Sequence, residues 1–162
     1  MTIAVGLDLE RKLGRKRGPL HGIPVLLKDN IGTKDKLETT AGSCALMGSV
    51  LPRDSHVATG LRKAGAIIMG KAALSEWADM RSSDYSEGYS CRGGQVRSPY
   101  NFTVNPGGSS SGSGAAVAAN IVPCALGTET DGSITNPAER NGLVGIKSTV
   151  GVRRKTSFSL II

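Results

Sequence analysis

The stretch that most constrains this chain covers residues 105–145, NPGGSSSGSGAAVAANIVPCALGTETDGSITNPAERNGLVG. It carries two serines preceded by glycine: Ser109 after Gly107-Gly108, and Ser133 after Asp131-Gly132, 24 residues further on. That spacing accommodates a loop, a short helix, a strand and a second loop. Glycine ahead of a serine lets the backbone approach a ligand and aim its N–H groups at it. A nucleophilic serine needs such donors, because the oxyanion that develops on an attacked carbonyl must be met by preorganised hydrogen bonds. Between the two serines, residues 113–120 (SGAAVAAN) read as a helix of small side chains suited to close packing. Residues 121–126 read as a strand that delivers the second loop.

Such a serine also needs a base, and the chain has two histidines. His21, in Pro19-Leu20-His21-Gly22, reads as a packing residue at a turn or strand entry. His56 follows Arg53-Asp54-Ser55 at a helix start and reads as a solvated first-turn residue. Lys28, at the end of the apolar run Ile23-Pro24-Val25-Leu26-Leu27, is the better candidate. Burial lowers the pKa of a lysine into the range of a general base, and Ser-Lys pairs are a convergent variant of the serine triad. Residues 22–28 form a short buried strand on this reading, and the end of a strand is where open α/β sheets place functional groups. The residues themselves leave a second reading open, in which the Lys28 ammonium snorkels to solvent.

In chain order, residues 5–17 suggest a basic, weakly amphipathic N-terminal helix within residues 1–17, ended by Gly18-Pro19. Residues 34–47 are mixed and polar, a loop turning into a short helix. Asp54 or Ser55 then caps a helix with Val57, Leu61 and Ala64 on one face, and Gly65 closes it before a strand over 66–69. Helix, glycine, strand is the rhythm of a layered α/β sheet. Residues 72–80 are expected to form another helix, with Leu74 and Trp77 facing inward. The long polar stretch 82–104 exceeds an ordinary connector, a length often associated with function or mobility. Asn136-Pro137 starts a helical turn, and residues 144–147 form a further strand.

Composition removes several function classes. At 162 residues the chain suits one domain, and the absence of a run of 18 or more apolar residues excludes a membrane-spanning helix. Residues 1–14 lack the basic-then-apolar order of a secretory signal. Three cysteines, Cys44, Cys91 and Cys124, without CxxC spacing argue against a zinc site or disulfide framework and for a reducing, cytoplasmic setting. Much of the net charge of +7 lies in two patches, Arg11 to Arg17 and Arg153 to Lys155. No aromatic residue interleaves with them, so nucleic acid is not the expected partner. Gly65-Ala66-Ile67-Ile68-Met69-Gly70-Lys71 matches the first seven positions of a phosphate-binding P-loop. The four residues that should wrap the phosphate are apolar and strand-like, and Ala72 has no hydroxyl for magnesium, so a nucleotide site is not expected.

Three motifs in order carry a family resemblance: Gly22-Ile23-Pro24-Val25-Leu26-Leu27-Lys28-Asp29-Asn30, then Gly107-Gly108-Ser109-Ser110-Ser111-Gly112-Ser113, then Gly127-Thr128-Glu129-Thr130-Asp131-Gly132-Ser133-Ile134. Together they resemble the amidase signature family, over residues 18–154. The resemblance implies an α/β fold, layered α/β/α around a mixed β-sheet, with no cofactor and no metal. It implies hydrolysis of a small-molecule amide through a Ser-Ser-Lys triad, with Ser133 as nucleophile, Lys28 as base and Ser109, after a cis peptide bond, as proton relay. Backbone N–H groups of Thr130, Asp131, Gly132 and Ser133 would form the oxyanion hole, and Gly107 and Gly108 would lie against the substrate. The 82–104 loop, with Arg92-Gly93-Gly94-Gln95 its most distinctive piece, would approach the site.

The chain departs from the family pattern at Asp131, where a second glycine is common, at Thr135, where arginine is frequent, and at Ser148, where Lys-Pro-Thr is usual. The GTETDGSI form resembles a fungal and plant branch. Loss of the arginine argues against substrates whose carboxylate would pair there. Residues 155–162 diverge, whereas members of the family begin earlier and add later strands that wall the substrate pocket. The chain therefore resembles an incomplete member, whose apolar 158–162 segment would be exposed unless paired. An open sheet edge of that kind invites self-association. Two readings stand: an amidase, or a catalytically silent piece that acts only with a partner chain. Within the first, a protein resembling the amidase-like component of an aminoacyl-tRNA amidotransferase is a lesser option.

Overall fold

The computed structural model describes residues 2–149 and 158–161. The elements run α1 (Thr2–Lys12), β1 (Pro24–Lys28), α2 (His56–Lys63), β2 (Ile67–Ala72), β3 (Tyr89–Ser90), β4 (Gly94–Gln95), α3 (Ser111–Ala118), β5 (Cys124–Thr128), α4 (Thr135–Arg140), β6 (Gly145–Ile146) and β7 (Phe158–Ile161). A five-stranded sheet has the order β2-β1-β5-β7-β6, and β3 and β4 form a separate antiparallel hairpin. β1 is parallel to both β2 and β5, while β7 runs antiparallel to β5 and β6, so the sheet is mixed.

The period-2 alternation of β1 sorts its side chains onto two faces. Leu27 packs with Ile31, Leu126 and, from α2, Val57 and Ala58. Leu26 packs on the opposite side, against Ala116, Val117, Val122 and Ala125, so α2 and α3 cover the two faces. This is the expected α/β arrangement, with β1 an interior strand between β2 and β5, packed on both faces. The α2 helix starts as expected, since Ser55 Oγ accepts the Ala58 N–H at 3.3 Å. It is stopped by Gly65, whose φ of +84° and 2.9 Å clearance from His21 Nδ1 no side chain would tolerate. His21 is the packing residue anticipated, its Nε2 2.8 Å from the Leu7 carbonyl.

Three expectations are corrected. The N-terminal helix is Thr2–Lys12, shorter than 5–17 at its C-terminal end. Residues 72–80 are not a helix: β2 continues through Gly70 and Lys71 to Ala72, and a brief turn follows at Glu76–Asp79. Trp77, Ala78 and Asp79 have φ of 54°, 56° and 71°. Tertiary bonds displace the helix here, because the N–H groups of Ser75 and Trp77 go to the Ser109 and Ala41 carbonyls at 3.1 and 2.9 Å. Leu74 is buried, but Trp77 is 43 % exposed and is not a core residue. The apolar tail takes the paired alternative that the sequence left open: β7 lies between β5 and β6, which leaves β2 and the two-residue β6 at the sheet edges. Residues 155–157 and 162 of that tail, and the patch Arg153, Arg154 and Lys155, lie outside the described residues.

Leu27 is fully buried at the centre of the α2-side cluster. Leu27→Ala should lower stability by about 2–5 kcal/mol, read as a shift of the urea midpoint. A change under about 1 kcal/mol would contradict this packing.

Candidate active site

Lys28 follows Leu26 by two positions and so projects to the α3 face of the sheet, where it is fully buried. Its Nζ donates to Ser109 Oγ at 2.7 Å and to the Thr128 carbonyl at 3.1 Å. Ser109 Oγ in turn donates to Ser133 Oγ at 2.9 Å. An amine and two hydroxyls from three distant parts of the chain thus form one continuous hydrogen-bonded line. The peptide between Gly108 and Ser109 is cis.

The loop that holds Ser109 is pinned from several directions. The Ser75 N–H donates to the Ser109 carbonyl at 3.1 Å, and the Ser110 N–H donates to the Ser133 carbonyl at the same distance. Ser111 Oγ donates to the Gly107 carbonyl and Ser113 Oγ to the Leu126 carbonyl, at 2.6 and 3.0 Å, fixing the first turn of α3 against β5. Close approach makes Gly127 obligatory there: a Cβ would stand 2.6 Å from Ser110 Oγ and 2.9 Å from Ile134 Cγ1.

The turn between β5 and α4 carries Ser133 and the N–H groups of Thr130 to Ser133. Among the described residues, no hydrogen bond occupies the N–H groups of Asp131, Gly132 or Ser133. Glu129, at the base of this turn, is buried and accepts the Ile134 and Thr135 N–H groups at 2.7 and 2.9 Å. Lys147 pairs with its other oxygen at 3.1 Å. Burial alone would raise the Glu129 carboxyl, but the Thr135 and Ile134 N–H groups and Lys147 hold it below its ordinary value.

Sequence reasoning named Lys28, Ser109 and Ser133, and the structure brings these three together. Thr130 and Asp131 are exposed and Gly132 half-buried, on the turn that leads into Ser133. Gly107 and Gly108 are buried, and their N–H groups are taken by Asn105 Oδ1 and Asn136 Oδ1 at 2.7 and 3.2 Å. The 82–104 loop reaches the site through Glu87, whose carboxylate accepts from Ser75 Oγ at 3.1 Å. Glu87, Asp79, Asn136 and Lys147 had no local signal in the sequence; only Glu129 sits inside a recognisable motif. Three clefts of about 430, 300 and 310 Å³ indent the described surface, and none is lined by the amine or either hydroxyl. The second is lined in part by Ser75, whose N–H binds the Ser109 carbonyl, and by Asp79. Among the described residues no cluster of His, Cys, Asp and Glu could hold a metal, and no helix is long and apolar enough to cross a membrane.

Burial lowers Lys28 to about 7, against the opposing pull of Asp79, Glu129 and Glu87. Burial likewise raises Asp79 and Glu87, and Asp79 pushes Glu87 further up. Between about 7 and the ordinary 10.5 of lysine, the unfolded chain holds a proton that the folded chain has released. Stability therefore rises with pH through that window, and the gain disappears as pH falls through about 7. At about 1.4 kcal/mol per pKa unit, the full gain is on the order of 5 kcal/mol. Urea denaturation from pH 6 to 10 should follow this slope in the parent protein and lose it in Lys28→Met. An identical pH dependence in both would contradict the burial of an ionisable amine.

Comparison with known proteins identifies the family of the chain. A family model described as Amidase matches residues 1–155. A Schizosaccharomyces pombe protein named as an amidase is 66% identical over 152 residues, which cover 94% of this chain and 26% of that protein. A glutamyl-tRNA(Gln) amidotransferase component from Symbiobacterium thermophilum is 50% identical over 146 residues, 90% of this chain and 29% of that one. The crystal structure of native peptide amidase from Stenotrophomonas maltophilia superposes with a TM-score of 0.90 at 54% identity, covering 96% of this chain and 32% of that one. The chain thus spans about a quarter to a third of the length of these relatives. By the match along nearly its whole length, the chain belongs to the amidase signature family.

Proposed function

We propose that this chain carries the catalytic centre of an amidase, which hydrolyses a small carboxamide through an acyl-enzyme on Ser133. The observation that carries the reading is the unbroken line from Lys28 Nζ through Ser109 Oγ to Ser133 Oγ, at 2.7 and 2.9 Å. Neutral Lys28 takes the Ser109 proton while Ser109 takes that of Ser133, and Ser133 Oγ attacks the amide carbonyl. The N–H groups of Thr130 to Ser133 receive the oxyanion, each donor worth about 3 kcal/mol to the transition state. Collapse returns the proton along the same line to the leaving amine, and water then attacks the acyl ester with Lys28 again as base. Because one ammonium N–H is directed to the Thr128 carbonyl, the amine keeps a fixed orientation while its proton shuttles toward Ser109.

The likeness to a glutamyl-tRNA(Gln) amidotransferase component favours a second reading, in which the same centre works inside a larger assembly. The basic residues Arg11, Lys12, Arg15, Lys16 and Arg17 are its support on this chain. Either way the reading places the protein in a reducing compartment such as the cytoplasm, in keeping with three free thiols at Cys44, Cys91 and Cys124.

Hydrolysis of an aryl amide by the purified chain tests the proposal. Ser133→Ala and Lys28→Ala should each reduce kcat/KM by about 10⁴-fold or more. The parent rate should fall on the acid side with a midpoint near the Lys28 value of about 7. Equal rates in the parent and both variants would overturn the assignment; a parent without turnover would leave only the silent-piece reading.

A further inference from the structure

The reaction scheme gives no part to Lys147, a charged group beside the Ser133 turn. Lys147, immediately after β6, has a side chain 36% exposed, yet its partner Glu129 is only 4% exposed. The ammonium lies 3.1 Å from Glu129 Oε1 and donates to the Thr130 carbonyl at 3.0 Å. Glu129 Oε2 faces the other way and receives the Ile134 and Thr135 N–H groups. One cation therefore grips the start of the Ser133 turn directly and its end through a buried carboxylate. The charged groups facing Glu129 are Lys147 from the β6 side and Lys28 from β1. Those facing Lys28 are Asp79, Glu87 and Glu129, and Glu87 also faces Arg140.

We propose that Lys147 is a positioning residue for the Ser133 turn: it seats the Glu129 carboxylate on the Ile134 and Thr135 N–H groups and screens that carboxylate from Lys28. The proposal rests on the Ser133–Lys28 reading above. Without the Lys147 charge, the Ile134 and Thr135 N–H groups still favour an ionised Glu129. Its field then falls unopposed on Lys28 and holds the Lys28 proton to higher pH. Removing the Glu129 charge instead frees Lys28 from one of its three anionic neighbours and acts in the opposite direction.

The test is the pH dependence of Ser133 acylation by a fluorophosphonate probe, in the full chain and in Lys147→Met, Lys147→Arg and Glu129→Gln. Lys147→Met should move the acid-side midpoint up by about 0.5 pH unit or more, and Lys147→Arg should restore it. Glu129→Gln should move it down while lowering the alkaline plateau. A purely structural role would lower plateaus and leave all midpoints in place, and that result overturns the proposal alone. A parent with no acid limb, or one whose labelling survives Ser133→Ala, overturns the parent reading and this one together. Should Lys147→Met fail to fold, Lys147→Gln carries the same charge change, and an unmoved midpoint there is equally decisive.

Discussion

The structure depends on placing an amine where water cannot reach it. Lys28 is wholly buried at the end of the interior strand β1, with Leu27 and Leu26 holding that strand from opposite faces. An ammonium there loses its hydration, and two hydrogen bonds, to Ser109 Oγ and the Thr128 carbonyl, are a partial replacement. The cheaper state is the neutral amine, which is also the state able to accept a proton. Burial and basicity are thus one property. The packing that makes β1 a core strand is what makes its last residue a candidate base.

Around that amine the fold sets a balance of charges. Asp79, Glu87 and Glu129 all pull toward the protonated form, and desolvation outweighs them. Two of these carboxyls, Asp79 and Glu87, are themselves pushed up by burial. The third is occupied elsewhere, with Lys147 and two backbone N–H groups as partners. The segments that bring these acids in are irregular: the left-handed turn at Trp77 to Asp79, the loop before the β3–β4 hairpin, and the β5–α4 turn. Two backbone bonds tie this irregular region to the serines, from the Ser75 N–H to the Ser109 carbonyl and from the Ser110 N–H to the Ser133 carbonyl.

How much of this was legible differs by element. The parallel core was readable because β1, α2, β2 and β5 obey short-range rules: apolar runs, a serine cap, a terminating glycine. The line of Lys28, Ser109 and Ser133 was readable because each lies in a motif with glycine or strand-end context. The segment after β2 was misread because Leu74 and Trp77 satisfy helical spacing, while the interactions that decide it are with Ala41 and Ser109, far away in sequence. Glu87 and Lys147 were invisible for the same reason: nothing beside them in the chain says what they will face. The pairing of β7 with β5 and β6 joins segments separated by a long stretch of sequence, and an apolar tail alone does not name its partner.

The most direct measurement is a ¹⁵N NMR titration of the Lys28 ammonium in the folded chain, assigned by its loss in Lys28→Met. The account predicts a midpoint near 7, with the signal shielded from solvent exchange. A midpoint close to the 10.5 of an ordinary lysine would mean that the amine is solvated and charged, and would contradict its role as the base.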